Sequence, residues 1–103
     1  KKAGLDLADV QEVLDVADFR TPIYHGVGRG AQAGDYTVNF ALNLMLKDAK
    51  LIQAFAHRMG TPVPTAATAQ KYIEESIKDG NGALNASALI LAIAKEGGVD
   101  LAQ

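Results

Sequence analysis

Two charged residues side by side, Lys47 and Asp48, carry most of the chemistry this sequence offers. A lysine ammonium binds carboxylate or phosphate oxygens as a compact cation, and a neighbouring carboxylate accepts hydrogen bonds or a proton. Both lie in the stretch 40–59, where apolar residues recur at helical spacing. With Leu42 at zero and about 100° per residue, Leu42, Met45, Ala49, Ile52, Ala56 and Met59 form one stripe, widened by Leu44, Leu51 and Phe55. Asn43, Lys47, Lys50, Gln53, His57 and Arg58 fall on the other side. Read alone, Lys47 is first a solvated cation. Asp48 is different. It falls at about 240°, between Phe55 at about 220° and Ile52 at about 280°, inside the apolar arc. An ionised carboxylate there needs a partner, because burying it unpaired is costly. It is either a structural anchor, to Arg20, Arg58 or a helix N-terminus, or part of a site.

Other candidates carry less. Gly28-Arg29-Gly30-Ala31-Gln32-Ala33 fits the dinucleotide string G-x-G-x-x-A, but the fingerprint works only after a strand and at the start of a helix. Here Thr21-Pro22 opens a helix just upstream, so the string reads as part of a glycine-rich helix or turn. Asp79-Gly80-Asn81-Gly82 resembles a calcium loop only at its start. Leu84 stands where the loop needs glycine and Ile90 where it needs glutamate. Neither His25 nor His57 has a second histidine or a carboxylate at i+3 or i+4, so no metal pair is expected. No serine or threonine stands in a nucleophile-elbow setting.

The elements that must position Lys47 and Asp48 are helical. Asp6 caps a first helix over about 7–17, and Thr21-Pro22 opens a second that ends at Gly34-Asp35. The central helix runs from about residue 40 to Met59 and stops at Gly60, with Pro62 and Pro64 beyond. Pro64 starts a fourth helix ending at Lys78, and Asn85 caps a fifth that closes at Gly97-Gly98. No stretch alternates long enough to argue a strand. The expectation is one all-α domain over residues 1–103, with Leu42, Met45, Ile52, Phe55, Met59, Ile73, Ile77, Leu89 and Ile93 in its core. Lys1-Lys2-Ala3-Gly4 reads as the last turn of a helix whose body lies upstream, so the chain is expected to be a fragment.

Composition bounds the partners. A net charge of -2 gives no electrostatic footprint for nucleic acid or an anionic membrane surface. With Cys 0, disulfides and thiolate chemistry are excluded, which is compatible with the cytoplasm. No apolar run approaches the roughly 20 residues of a membrane span.

The string Asn39-Phe40-Ala41-Leu42-Asn43-Leu44-Met45-Leu46-Lys47-Asp48 resembles the C-terminal domain of the β-hydroxyacid dehydrogenases, the family of 3-hydroxyisobutyrate dehydrogenase and tartronate semialdehyde reductase. In that family a phenylalanine is followed seven and eight residues later by a Lys-Asp pair, the spacing of Phe40, Lys47 and Asp48. The likeness extends to Gly4-Leu5-Asp6, to Gly60-x-Pro62-x-Pro64 and to Gly80-x-Gly82-x-x-Asn85-x-Ser87-Ala88-Leu89. The family usually has Asp where Asn85 stands, and either residue caps a helix.

The resemblance implies a compact orthogonal bundle of about five helices, like the C-terminal domain of 6-phosphogluconate dehydrogenase. It implies a parent NAD- or NADP-dependent enzyme, interconverting a small hydroxy acid and its semialdehyde or keto form. Lys47 would approach the nicotinamide end of the cofactor, Phe40 would wall the substrate pocket, and Asp48 would line or brace it. No catalytic residue is expected in this stretch, because the family's lysine lies in an interdomain helix upstream, beside a Rossmann domain that binds most of the cofactor. The implied partners are the substrate, that Rossmann domain and further copies of the chain. The rival reading is a free-standing helical interaction module, which would not need the set Phe40, Lys47 and Asp48.

Overall fold

The computed structural model describes residues 1–101, and local signals explain most of its element boundaries. Helix α1, Leu7–Val16, opens on Asp6, whose carboxylate accepts from the N–H groups of Ala8 at 2.7 Å and Asp9 at 3.4 Å. Helix α2, Pro22–Ala33, opens on Thr21, whose hydroxyl accepts from the Tyr24 N–H, with proline in the first turn. Helix α3, Leu42–Met59, is stopped by Gly60 in the left-handed region at φ 65, a conformation that costs any residue with a Cβ. Helix α4 is Pro64–Ser76 and helix α5 is Leu89–Gly97. The described residues form no strand, and one isolated bridge joins Ala41 to Asn85. The all-α expectation holds.

Three boundaries differ from the sequence reading. The central helix starts at Leu42 rather than near residue 40, because Phe40 and Ala41 stay extended against residues 85 and 86. The fourth helix ends at Ser76, and Ile77–Asn81 form a wider turn that Gly80 closes at φ 94. Asn85 does not cap the last helix. A short 3-10 turn, Ala86–Ala88, comes first, and the Asn85 side chain points to another segment.

The core sits where α3 packs on α4 and α4 on α5. Leu42, Ala49, Ile73 and Ala88 are its buried residues, with Tyr36, Met45, Leu46, Ile77, Leu84, Leu89 and Leu91 packed around them. Ser76 is fully enclosed, donating to the Ala88 carbonyl at 2.7 Å and accepting from the Asn81 amide at 3.2 Å. Four expected core residues lie elsewhere. Ile52, Phe55, Met59 and Ile93 are 52%, 57%, 62% and 44% exposed. The buried seam of α3 is the narrow line Leu42, Ala49 and Ala56, so the broad apolar arc of its projection exceeds what the other helices cover.

The α1–α2 hairpin is held by a polar wedge. Gln11 is buried against Gly28, at a point where any Cβ on residue 28 would meet the Gln11 amide oxygen. The glycine string 28–30 thus lies inside α2 and admits a neighbouring side chain rather than a phosphate. Gln11 donates to Asp15 at 3.0 Å, and the other Asp15 oxygen faces His25 Nδ1 at 3.0 Å and the Arg29 guanidinium at 3.6 Å. Burial would push the Asp15 carboxyl up, but Gln11, His25 and Arg29 outweigh it and hold it below 3.8.

Two outcomes are expected. Leu42→Ala should lower stability by about 2–5 kcal/mol, as large-to-small changes in a closed core do, whereas Phe55→Ala should cost less than about 1 kcal/mol. Urea unfolding of the two variants compares them directly. The Asp15 contribution is present above its unfolded pKa and lost as pH falls through the lowered folded value, so it fades below about pH 4. Thermal unfolding at pH 6 and pH 2.5 should therefore show a smaller acid loss for Asp15→Asn than for the parent chain.

Candidate functional site

The residues named from the sequence cluster at the start of α3, and that start has an unusual support. The first N–H groups of a helix lack partners within it, and Ala41 supplies no side-chain cap. Main-chain carbonyls from residues 82–84 fill the gap: Leu42 donates to Leu84 at 2.9 Å and Asn43 donates to Gly82 at 3.0 Å. Gly82 is buried, and a Cβ there would lie 2.5 Å from Asn43 Oδ1. A side chain at 82 would require the exposed Asn43 amide to turn aside. The occupied N–H groups also remove this helix end as an anion-binding site.

Phe40 precedes the helix and is fixed through its backbone. Its N–H donates to Asn85 Oδ1 at 3.2 Å, and its carbonyl accepts from the Ala86 N–H at 2.7 Å. Phe40 is 40% exposed and takes no part in the core.

Lys47 and Asp48 form an ion pair, with Nζ 3.0 Å from Oδ1 and side chains 61% and 48% exposed. Neighbours in a helix point about 100° apart, so the lysine stem must curl around the helix to reach the carboxylate. Asp48 is therefore not a buried anchor, and neither Arg20 nor Arg58 is its partner. Arg58 instead places its guanidinium 5.7 Å from the centre of the Phe55 ring. The carboxylate does lie within the apolar arc, but Leu44, Leu51, Ile52, Phe55 and Met59 along that arc are all exposed. The helical projection gave the right angle and the wrong environment.

Lys47 also borders an open groove of about 480 Å³, with Asn43, Leu46, Lys50, Leu51 and Ala54. Phe40 and Asp48 do not line it. The structure thus joins Lys47 to Asp48 and leaves Phe40 at the head of the same helix. Such a site offers one cation on a flexible stem, a carboxylate beside it and apolar surface around both. It suits contact with an anionic or amphipathic molecule held mainly by another body. The described residues contain no cluster of three His, Cys, Asp or Glu able to hold a metal.

Two features escaped the sequence reading. Asn85 reads in sequence as a helix start, yet its side-chain oxygen Oδ1 accepts from the N–H groups of Asn39 and Phe40. His25 does have a carboxylate partner, Asp15, but it lies on a different helix, where i+3 and i+4 spacing cannot find it.

Comparison with known proteins shows the family and the fold. The family model described as NAD-binding of NADP-dependent 3-hydroxyisobutyrate dehydrogenase matches residues 1–93. Glyoxylate/succinic semialdehyde reductase 1 of Arabidopsis thaliana is 28% identical over 92 residues, covering 89% of this chain and 32% of that protein. An uncharacterized oxidoreductase of Bacillus subtilis, YfjR, is 33% identical over 94 residues, covering 90% and 32%. The crystal structure of 3-hydroxyisobutyrate dehydrogenase from Salmonella typhimurium superposes with a TM-score of 0.80 at 27% identity, covering 87% of this chain and 32% of that one. The chain thus spans about a third of the length of these relatives. Matched in sequence from residue 1 to 93 and superposable on a solved member, the chain belongs to the β-hydroxyacid dehydrogenases of the 3-hydroxyisobutyrate dehydrogenase type, a family of NAD(P)-dependent oxidoreductases.

Proposed function

We propose that this chain is the C-terminal helical domain that closes over substrate and contributes to subunit association in a dehydrogenase, interconverting a small hydroxy acid and its semialdehyde or keto form. The observation that carries the reading is the exposed Lys47–Asp48 pair, set among uncovered apolar side chains on the helix that Phe40 precedes. Lys47 contacts the cofactor near its nicotinamide end. Phe40 walls the substrate pocket and Asp48 lines it. The nicotinamide, when bound, supplies the hydride acceptor or donor. The proton is handled by a lysine on a preceding helix, outside this chain.

The uncovered surface supports the same reading. The accessible area is 6979 Å², against about 5,500 Å² for a compact monomer of this length. Contiguous exposed apolar patches mark places where another body docks. On α3, Leu44, Leu51 and Ile52 lie one turn from Asp48, with Phe55 and Met59 further along the same face, so a domain closing there brings its ligand to the ion pair and excludes water. That face alone also fits the rival reading, an association module without chemistry. Lys47 separates the two, since association needs no cation that leans onto a carboxylate.

In the full-length protein Lys47→Ala should weaken dinucleotide binding about tenfold, which is about 1.4 kcal/mol. In the 103-residue chain both Lys47→Ala and Asp48→Ala should change stability by less than about 1 kcal/mol, because the pair is solvated. Dinucleotide titration beside urea unfolding measures both quantities. Unchanged affinity and turnover in Lys47→Ala would remove its site role and favour the association module. The isolated chain should also self-associate at high concentration and show no hydride transfer, which sedimentation and cofactor absorbance check.

A further inference from the structure

A large apolar side chain usually gains its fixed place by burying its ring. Phe40 is held in the opposite way. Its N–H and that of Asn39 converge on one oxygen, Asn85 Oδ1, each at 3.2 Å. Its carbonyl is bound by the Ala86 N–H at 2.7 Å, and the Asn85 N–H reaches back to the Tyr36 carbonyl at 3.0 Å. The Asn85 amide nitrogen donates to Ser87 Oγ at 2.9 Å, which orients the side chain with its oxygen toward the loop. The backbone on both sides of Phe40 is thus pinned while the residue stays 40% exposed. Core packing does not require this, because Phe40 is absent from the core.

We infer that Asn85 is the positioning residue that presents the Phe40 ring to the substrate pocket, a role that rests on Phe40 walling that pocket. Asn85 touches neither substrate nor cofactor. It acts by fixing the backbone from which the ring projects, 45 residues away in sequence. The geometry also says which replacements preserve the role. One aspartate oxygen accepts from both N–H groups as the amide oxygen does, and Ser87, an O–H donor, turns to serve the other oxygen. Alanine removes the acceptor. Serine keeps a hydroxyl on a shorter stem, which leaves it short of the pair of N–H groups.

The test has a structural arm and a kinetic arm. In the 103-residue chain, amide hydrogen exchange of Asn39 and Phe40 should accelerate at least tenfold in Asn85→Ala and stay near the parent value in Asn85→Asp. In the full-length protein, Asn85→Ala should raise the KM for the hydroxy acid at least fivefold, with dinucleotide Kd unchanged within twofold. Combined with Phe40→Ala, it should add nothing further, because the ring it positions is gone. Asn85→Ser replaces Asn85→Ala in both arms if the alanine variant fails to fold. Unchanged exchange at Phe40 in Asn85→Ala overturns the inference, and so do KM increases that multiply in the double variant. If Phe40→Ala raises KM and Asn85→Ala does not, the positioning role alone fails. If neither raises it, the pocket reading fails and takes the inference with it.

Discussion

The start of α3 has no side chain to cap it, and the rest of the molecule is arranged around that lack. An uncapped helix end in a protein interior leaves N–H groups unpaired, each at a cost comparable to a lost hydrogen bond. Leu42 is the most enclosed large apolar residue, so its N–H cannot turn to water. The carbonyls of Leu84 and Gly82 take the place of a cap. That solution constrains the segment carrying them. Residues 82–86 must run alongside residues 36–43, Gly82 must lie against the Asn43 amide, and the last helix must start only after the crossing. The 3-10 turn at Ala86–Ala88 is where the chain leaves the crossing and enters α5.

Small residues complete the constraint. Ala49, Ala56, Ala86, Ala88, Ala92 and Ala94 are among the buried residues of α3, of the segment leading into α5 and of α5 itself, and short side chains let backbones approach closely. Each buried alanine removes less apolar area from water than a leucine would, so the core is tight but thin. Leu44, Leu51, Ile52, Phe55 and Met59 of α3 are left outward. Burial by another body would recover the stabilisation that the small core forgoes, as the proposed closing domain requires. The α1–α2 hairpin follows the same pattern, with a glycine, a glutamine and an ion-paired aspartate at its seam and Val13, Val16, Ile23 and Tyr24 outward.

Helix number and most ends were legible because they depend on local chemistry. Asp6, Thr21, Gly34, Gly60 and Gly98 act within one turn of where they stand. Burial was less legible. The projection of α3 separates apolar from polar residues but cannot say how much of an apolar arc the other helices reach, which is why Ile52, Phe55 and Met59 were assigned to the core. Asp48 inherited that error: inside the arc, yet half in water. Asn85 shows the third limit. An asparagine before a helix reads as its cap, whereas here the same oxygen serves two N–H groups 45 and 46 residues away. Sequence spacing reports neighbours along a helix, and this contact depends on a crossing that spacing does not encode.

The ion pair at Lys47 and Asp48 gives a physical reason why closure and chemistry belong together in the proposed reading. In water two unit charges at about 4 Å interact by only about 1 kcal/mol, and by about 4 kcal/mol at an effective dielectric constant near 20. At 3.0 Å and roughly half exposed, the pair is close to the first regime. Its ammonium is loosely committed and free to exchange Asp48 for another anion. When a second body covers the surrounding leucines, Ile52, Phe55 and Met59, water leaves and the same charges interact more strongly. A carboxylate or phosphate brought in at that moment competes with Asp48 for one ammonium, and whichever anion stays without it bears a desolvation cost. In the proposed reading Asp48 would tune the site rather than anchor the fold. It would keep Lys47 leaning toward the apolar arc until closure, and make closure over an anion depend on that anion also finding partners on the covering body.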